Sequence, residues 1–150
     1  MEQKLFTDRV MQFAILCRDI RKTTEAWAKF LGVETPSIVT TAPYEETQAV
    51  YRGEPCRARI YQSFFNFGNI QFELISPMDD TPSVWLEYLE KNGEGLHHIA
   101  FGCKNLKETT KKLSEDGFPT VAAGEYKGGR YAYVDSVKDL TLMLELLEND

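Results

Sequence analysis

"QFAILCRDIRKTT" (residues 12–24) and "HIAFGCKNLKETT" (residues 98–110) align without a gap at a constant offset of 86. Ala14 falls on Ala100, Cys17 on Cys103, Ile20 on Leu106, and Thr23 and Thr24 on Thr109 and Thr110. The far ends of the two halves align as well. "YQSFFNFGNIQFELI" (61–75) lies on "YVDSVKDLTLMLELL" (133–147) at an offset of 72, which sets Glu73 on Glu145 and Tyr61 on Tyr133. The offsets differ by 14 because the first half carries about that many extra residues in its middle, in or near "TTAPYEETQAVYRGEP". Internal repeats of this kind are established before any single motif is weighed, because they fix the architecture.

Each half yields the same order of elements. Residues 10–17 alternate as a strand. Asp19 is placed to cap a helix over 20–31, with Ile20, Trp27, Phe30 and Leu31 near one face and Gly32 ending it. "SIVT" is a short strand, and Pro43, Gly53 and Pro55 punctuate the loop that follows. Two strands over about 58–66 and 69–76 join at "NFGN". The second half runs through a strand at 97–103 and a helix at 106–116, between Asn105 as cap and Gly117 as stop. A short strand near 119–123, the Gly-rich loop "GEYKGG", a strand at 130–135, a turn at "SVKD" and a strand at 140–147 complete it. Between the halves, "DDTPSVWLEYLEKNG" reads as a linker helix capped by Asp80 or Thr81, with Pro82 in its first turn and Val84, Trp85, Tyr88 and Leu89 as its buried stripe. The fold class is α+β: one domain over 1–150, made of two βαβββ modules at about 9–77 and 96–148 joined by a helix at about 81–92.

A content of 43% hydrophobic and 12% aromatic residues supplies the core such a domain needs. The net charge of −6 argues against a nucleic-acid partner, which requires clustered Lys and Arg to neutralise phosphates. Arg52, Arg57 and Arg59 form the basic cluster worth noting; they read as a solvated strand edge, with contact to an anionic small molecule as the sharper alternative. No apolar run reaches the roughly 18 residues of a membrane span, and "MEQKLFTDRV" lacks the basic-then-apolar pattern of a signal peptide. Cys17, Cys56 and Cys103, without C-x-x-C spacing, indicate neither a disulfide frame nor a thiolate zinc site, so a reduced cytoplasmic protein is expected.

The duplication turns four scattered residues into a candidate site. Gln12 and His98 occupy equivalent positions on the first strand of each half, and Glu73 and Glu145 on the last. An approximate two-fold axis between the halves would bring the four side chains to one point. Two neutral donors and two carboxylates formally neutralise a divalent cation, and the mixed nitrogen and oxygen set suits zinc, nickel, cobalt, manganese or iron. Singly, each residue has a plainer explanation. A Gln on a strand is usually at the surface, a His is more often structural than a ligand, and either carboxylate could point out from a one-sided sheet. A carboxylate inside "IQFELI" or "LMLELL" is still unusual, because burying an unpartnered charge is costly. Agreement of both pairs on repeat-equivalent positions raises the metal site above these plainer readings. His98, not His97, aligns with Gln12 and should face the shared cavity; His97 is expected on the opposite side of the strand, as a packing or hydrogen-bonding residue.

"GLHHIAF", "ELISP" and "LMLELL", in this order and spacing, resemble the vicinal-oxygen-chelate superfamily from about Met11 to Leu147. The resemblance implies paired βαβββ modules forming a cupped mixed sheet around a metal, with Gln12, Glu73, His98 and Glu145 as its ligands. Within the superfamily the chain looks most like the methylmalonyl-CoA epimerases, which share the double His and the linker helix before it. It departs from them in two places. The epimerases usually have His where this chain has Gln12, and the Gln-Glu-His-Glu set is similar to that of glyoxalase I. They also carry an additional acid on a middle strand of the first half, whereas "ARIYQSFFNFGNIQF" contains none; Gln62 or Tyr61 lies near that position.

The chemistry this implies is proton abstraction next to a carbonyl, with a divalent metal (zinc, nickel, cobalt or manganese) stabilising the enolate or enediolate. Glu145 is the first choice for the base and Glu73 the second. Return of the proton to the opposite face makes an epimerase acting on an acyl-CoA or a small oxo-compound; return to the adjacent carbon gives the glyoxalase outcome, which Gln12 supports. A metal-free small-molecule binding module, like the drug-sequestering members, is the third possibility. A ring-cleaving dioxygenase is disfavoured, because its two-His iron triad would need His97 on the cavity side. The segment 40–57 and "GEYKGGR" are candidate lids over a small-molecule substrate, although an ordinary hairpin turn accounts for Gly128 and Gly129 more simply. Tyr61 and Tyr133 either line the cavity or pack in the core. A homodimer is expected, since members of this superfamily often pair modules across dimers.

Overall fold

Alternation along strands and caps on helices build two copies of one unit. The computed structural model describes residues 9–150, so the reading of "MEQKLFTDRV" lies, but for its last two residues, outside the described chain. The first half comprises β1 (Val10–Leu16), α1 (Ile20–Leu31), β2 (Val39–Thr40), α2 (Tyr44–Thr47), β3 (Val50–Tyr51), β4 (Glu54–Pro55), β5 (Ile60–Asn66) and β6 (Gln71–Pro77). Helix α3 (Val84–Asn92) leads to the second half: β7 (Gly95–Gly102), α4 (Leu106–Glu115), β8 (Thr120–Tyr126), β9 (Gly129–Val134), α5 (Val137–Leu140) and β10 (Met143–Asn149).

The strands form one mixed, curled sheet in the order β2-β5-β6-β1-β7-β10-β9-β8-β3-β4. Its centre is the antiparallel pair β1–β7, in which Gln12 lies opposite Ala100 and Ala14 opposite His98. Those two pairings exchange under a two-fold rotation that carries residue 12 onto 98 and 14 onto 100. Flanking strands obey the same rule. Parallel β6 sets Glu73 beside Ala14, and parallel β10 sets Glu145 beside Ala100. The duplication legible in the sequence is thus a pseudo-two-fold axis in space.

Because successive strand residues face opposite sides, each strand feeds two cores. On the convex side α1 covers Phe65, Phe72 and Leu74, while α4 covers Ala132, Val134 and Leu146. On the concave side Val84, Trp85, Tyr88 and Leu89 of α3 pack with Ala14, Leu16, Ile75 and Met143, so the linker helix closes the floor of a cup. Among the described residues, no helix is long and apolar enough to cross a membrane.

Several local expectations are corrected. The buried positions of α1 are Ile20, Thr24 and Ala28, while Phe30 is 81% exposed and Leu31 also reaches the surface. Small residues at this spacing let the helix lie close to the sheet, where Thr24 Oγ1 and Ser63 Oγ share a hydrogen bond of 2.8 Å. The cap of α3 is Ser83, which accepts from the Leu86 N–H at 3.1 Å; Asp79 instead holds a turn by accepting from Thr81 N–H, and Pro82 precedes the helix. The presumed Gly-rich loop is mostly strand, since β8 continues to Tyr126 and only Lys127 and Gly128 turn the chain, Gly128 taking φ +94°. A two-residue hairpin turn needs that left-handed geometry, which glycine adopts without a Cβ clash.

The extra residues of the first half are also more ordered than a loop. β2 pairs with β5 at one edge of the sheet, whereas β3 pairs with β8 at the other. The intervening chain, with α2, therefore straps the two edges of the curled sheet together. Arg52 locks it to α3 through hydrogen bonds to Glu87 from Nη2 at 2.7 and 2.9 Å and from Nε at 3.3 Å, and Tyr51 also bonds to Glu87.

Asp19 and Asn105 are repeat-equivalent helix caps, accepting from Lys22 N–H at 3.0 Å and Glu108 N–H at 3.1 Å. Replacing either by Ala should lower unfolding free energy by about 1 kcal/mol, and the double variant should lose close to the sum, because the helices share no partner. Urea denaturation of the three variants measures both effects.

Candidate functional site

The concave residues nearest the two-fold axis are polar. Gln12, Glu73, His98 and Glu145 are all buried, against a surrounding of Ala14, Ala100 and Tyr133 that offers no competing charge. His98 Nε2 lies 2.9 Å from Gln12 Oε1, 3.0 Å from Glu145 Oε2 and 3.7 Å from Glu73 Oε1. All four expected side chains thus meet at one point. Two further amides hold them there. Gln12 Nε2 donates to Gln71 Oε1 at 2.6 Å, which turns the Gln12 oxygen toward His98. Gln62 Nε2 donates to Glu73 Oε2 at 2.8 Å. Gln62, near the position of the missing acid, thus supports Glu73 and supplies no second carboxylate.

Three acceptor oxygens around one imidazole nitrogen require a proton on it. Burial opposes a charged His98, but the Glu145 carboxylate, and then Glu73, hold its pKa above the ordinary value. Burial pushes Glu73 up to about 7; the charge of His98 opposes this and that of Glu145 adds to it. The four side chains are drawn together by these hydrogen bonds, and among the described residues no group of three or more His, Cys, Asp or Glu is spread in a ready metal-ligand arrangement. The chemistry of the donor set nevertheless fits a divalent cation. One imidazole nitrogen, one amide oxygen and two carboxylates are of the type such ions take, and a cation would replace the Nε2 proton as the centre they share.

His97 does not point away as expected. β1 and β7 each carry one unpaired residue in their ladder, Met11 and His97, at equivalent positions of the repeat. A bulge of this kind re-aims the side chain it adds. His97 and His98 are consequently both fully buried, with their Nδ1 atoms 2.9 Å apart and the Tyr133 ring against both. His97 still acts as a hydrogen-bonding residue. Its other nitrogen, Nε2, has no partner, and the ring packs against Tyr88. Burial, then the charge of His98, keeps the pKa of His97 well below the ordinary value, so it stays neutral. A neutral His97 accepting the Nδ1–H of His98 fixes which His98 nitrogen faces the carboxylates, as the outer partners of metal-ligating imidazoles do.

The site opens into a cavity of about 620 Å³. The strap and the β8–β9 hairpin both border it, through residues such as Glu46, Thr47, Glu125 and Lys127. Tyr133 lines it and receives a hydrogen bond from Trp85 Nε1 at 3.2 Å. Tyr61 does not; it packs on the convex side, against the cluster under α1. The residue opposite Glu73 is Phe64, as Tyr133 is opposite Glu145, so the offset of 72 holds between β6 and β10 but fails between β5 and β9. The longer β9–β10 connection, with α5, absorbs the difference. Arg52, Arg57 and Arg59 bond to Glu87, Glu45 and the Thr41 carbonyl.

The raised pKa of Glu73 gives a signed prediction for the metal-free protein. A carboxyl whose folded pKa exceeds its unfolded value contributes stability that is present below the unfolded pKa and is lost as pH rises through about 7. Glu73→Gln removes that loss. In chelator, the variant should exceed wild type at pH 8 by on the order of 3 kcal/mol, and the gap should close near pH 5; urea titrations at the two pH values check it.

The chain resembles known proteins in sequence and in fold. It is 35% identical over 96 residues to the uncharacterized protein YqjC of Bacillus subtilis (strain 168), a match covering 60% of this chain and 66% of that relative's length. In fold it is similar to a hypothetical protein from Bacillus halodurans C-125 (TM-score 0.66, 18% identity, covering 95% of this chain and 94% of that one). It is likewise similar to methylmalonyl-CoA epimerase from Mycobacterium tuberculosis (TM-score 0.65, 18% identity, 100% and 93% covered). A variant of the Streptomyces coelicolor methylmalonyl-CoA epimerase, in complex with 2-nitronate-propionyl-CoA, gives a TM-score of 0.63 at 22% identity, with 94% and 96% covered. Residues 11–134 match the family model of the Glyoxalase/Bleomycin resistance protein/Dioxygenase superfamily, and the chain belongs to that superfamily.

Proposed function

We propose that the protein is a divalent-metal-dependent epimerase or isomerase that removes a proton next to a substrate carbonyl, a reaction of the methylmalonyl-CoA epimerase kind. The observation that carries this is the convergence of Gln12, Glu73, His98 and Glu145, all buried, on one point beside a cavity of about 620 Å³. These four side chains would hold zinc, nickel, cobalt or manganese. When bound, the ion supplies a Lewis acid for a substrate carbonyl oxygen.

The remaining work falls to the chain's own groups. Glu145 is the base: its only hydrogen-bonding neighbour among the described residues is His98, whereas Glu73 is anchored by the Gln62 amide. Glu73, held by the Gln62 amide at 2.8 Å, is the second candidate to carry a proton. The carboxylates come from opposite halves of the pseudo-two-fold and flank His98 Nε2, Glu145 at 3.0 Å and Glu73 at 3.7 Å, so two groups able to carry a proton stand at the same end of the cavity. That supports inversion at carbon. The glyoxalase outcome, return of the proton to the adjacent carbon, is the second reading, supported by the Gln12 oxygen that Gln71 turns toward His98. Trp85 and Tyr133, both buried and hydrogen-bonded to each other, line the cavity beside these groups. We take the protein to act in the reducing cytoplasm, a view supported by its three free cysteines, and as a homodimer, supported by the exposed apolar Phe30 and Val33.

Elemental analysis of the purified protein should find close to one divalent metal per chain, lost in the Glu145→Gln/His98→Ala double variant. Proton exchange with D2O, followed by NMR at the carbon next to the carbonyl of hydroxyacetone, pyruvate and methylmalonyl-N-acetylcysteamine, should slow by roughly 10²–10⁴-fold in Glu145→Gln alone. Failure to take up zinc, nickel, cobalt or manganese would leave the metal-free binding module in front.

A further inference from the structure

The charges around the cavity bear on what enters it. Glu46 on the strap and Glu125 on the β8–β9 hairpin stand at its exposed rim, and Glu73 and Glu145 lie deep inside. Against these four carboxylates, Lys127 is the one basic side chain among the described residues that line it. A divalent cation at the deep end would leave the lining net negative.

The arginines that could have reversed this balance are engaged elsewhere. Arg52 forms a two-pronged bond to Glu87 at 2.7 and 2.9 Å. Arg57 bonds to Glu45 at 2.7 Å and lies over the Tyr44 ring. Arg59 donates to the Thr41 carbonyl from Nε at 2.9 Å and from Nη2 at 2.7 Å. All three serve to fasten the strap. A phosphate arriving at the rim would meet carboxylates and find guanidinium groups already paired, and recognition of phosphate relies on free, forked donors of that kind. The uncharged part of the lining is different: Thr40, Thr41, Thr47, Gln71 and Asn149 offer hydroxyl and amide groups suited to neutral oxygens.

We infer that the substrate is a compact, uncharged oxo-compound, and that the acidic rim turns away substrates borne on a phosphate-bearing handle such as coenzyme A. The inference rests on the metal-dependent reading given above and narrows its substrate class.

A matched pair of oxygen chelators tests it: glycolohydroxamate and phosphoglycolohydroxamate differ only in the phosphate. After metal loading of the full chain is verified by elemental analysis, titration calorimetry should find the uncharged compound binding at least tenfold more tightly at low salt. The gap should shrink in the Glu46→Gln/Glu125→Gln variant and reverse in Glu46→Lys/Glu125→Lys; both positions are exposed, so the fold is not at stake. Equal or tighter binding of the phosphorylated compound to the wild type would overturn the charge selection while leaving the metal reading intact. Absence of metal uptake, or of binding by either chelator to the loaded protein, would overturn the metal reading itself and the inference with it.

Discussion

The antiparallel pairing of β1 with β7 is the constraint on which the rest depends. It places Gln12 opposite Ala100 and Ala14 opposite His98, so that Gln12 and His98 approach across the axis from either side. Parallel addition of β6 and β10 then brings Glu73 beside Ala14 and Glu145 beside Ala100. The small alanines are part of the device, because a larger side chain at either position would stand between the polar ones. A one-residue slip in this pairing would turn the site residues of one half to the convex face and leave those of the other behind. The ladder that forms the core of the sheet is therefore also the frame of the site.

A cluster with two carboxylates, an imidazole and an amide is an expensive occupant for a buried position. It survives because every member has a partner: Gln71 on Gln12, Gln62 on Glu73, Glu145 and His97 on His98. Partly satisfied networks of this type destabilise a fold, whereas connected ones fix a single arrangement. The cation-like role of the His98 proton in the metal-free state is the same physics seen from another side. Two carboxylates so close are accommodated by a positive charge between them or by a proton on one of them.

Much of this was legible in the sequence for a definite reason. Duplication doubles the evidence for each position, so the two helices, their caps Asp19 and Asn105, and the four site residues could be read from their agreement. What remained hidden lay where the halves differ or where a side chain meets something distant. The bulges at Met11 and His97 leave no mark on residue type, and without them simple alternation sends His97 to the wrong face. Tyr61 and Tyr133 aligned by letter, yet the extra residues around α5 shift the strands against each other. The strap looked like a loop because β3 and β4 have two residues each, too few to show a period. Gln62 and Gln71 were unreadable as supports, since an amide on a strand carries no signal until its partner is placed.

The central claim is that Gln12, Glu73, His98 and Glu145 together hold one divalent ion. The most direct measurement is anomalous diffraction from crystals grown with cobalt, recorded on both sides of the cobalt absorption edge. The account predicts one peak per chain, bounded by the Gln12 Oε1, His98 Nε2 and the Glu73 and Glu145 carboxylates, with His97 still on His98 Nδ1. A peak held by other side chains, or none while His98 Nε2 remains bonded to Glu145, would contradict it.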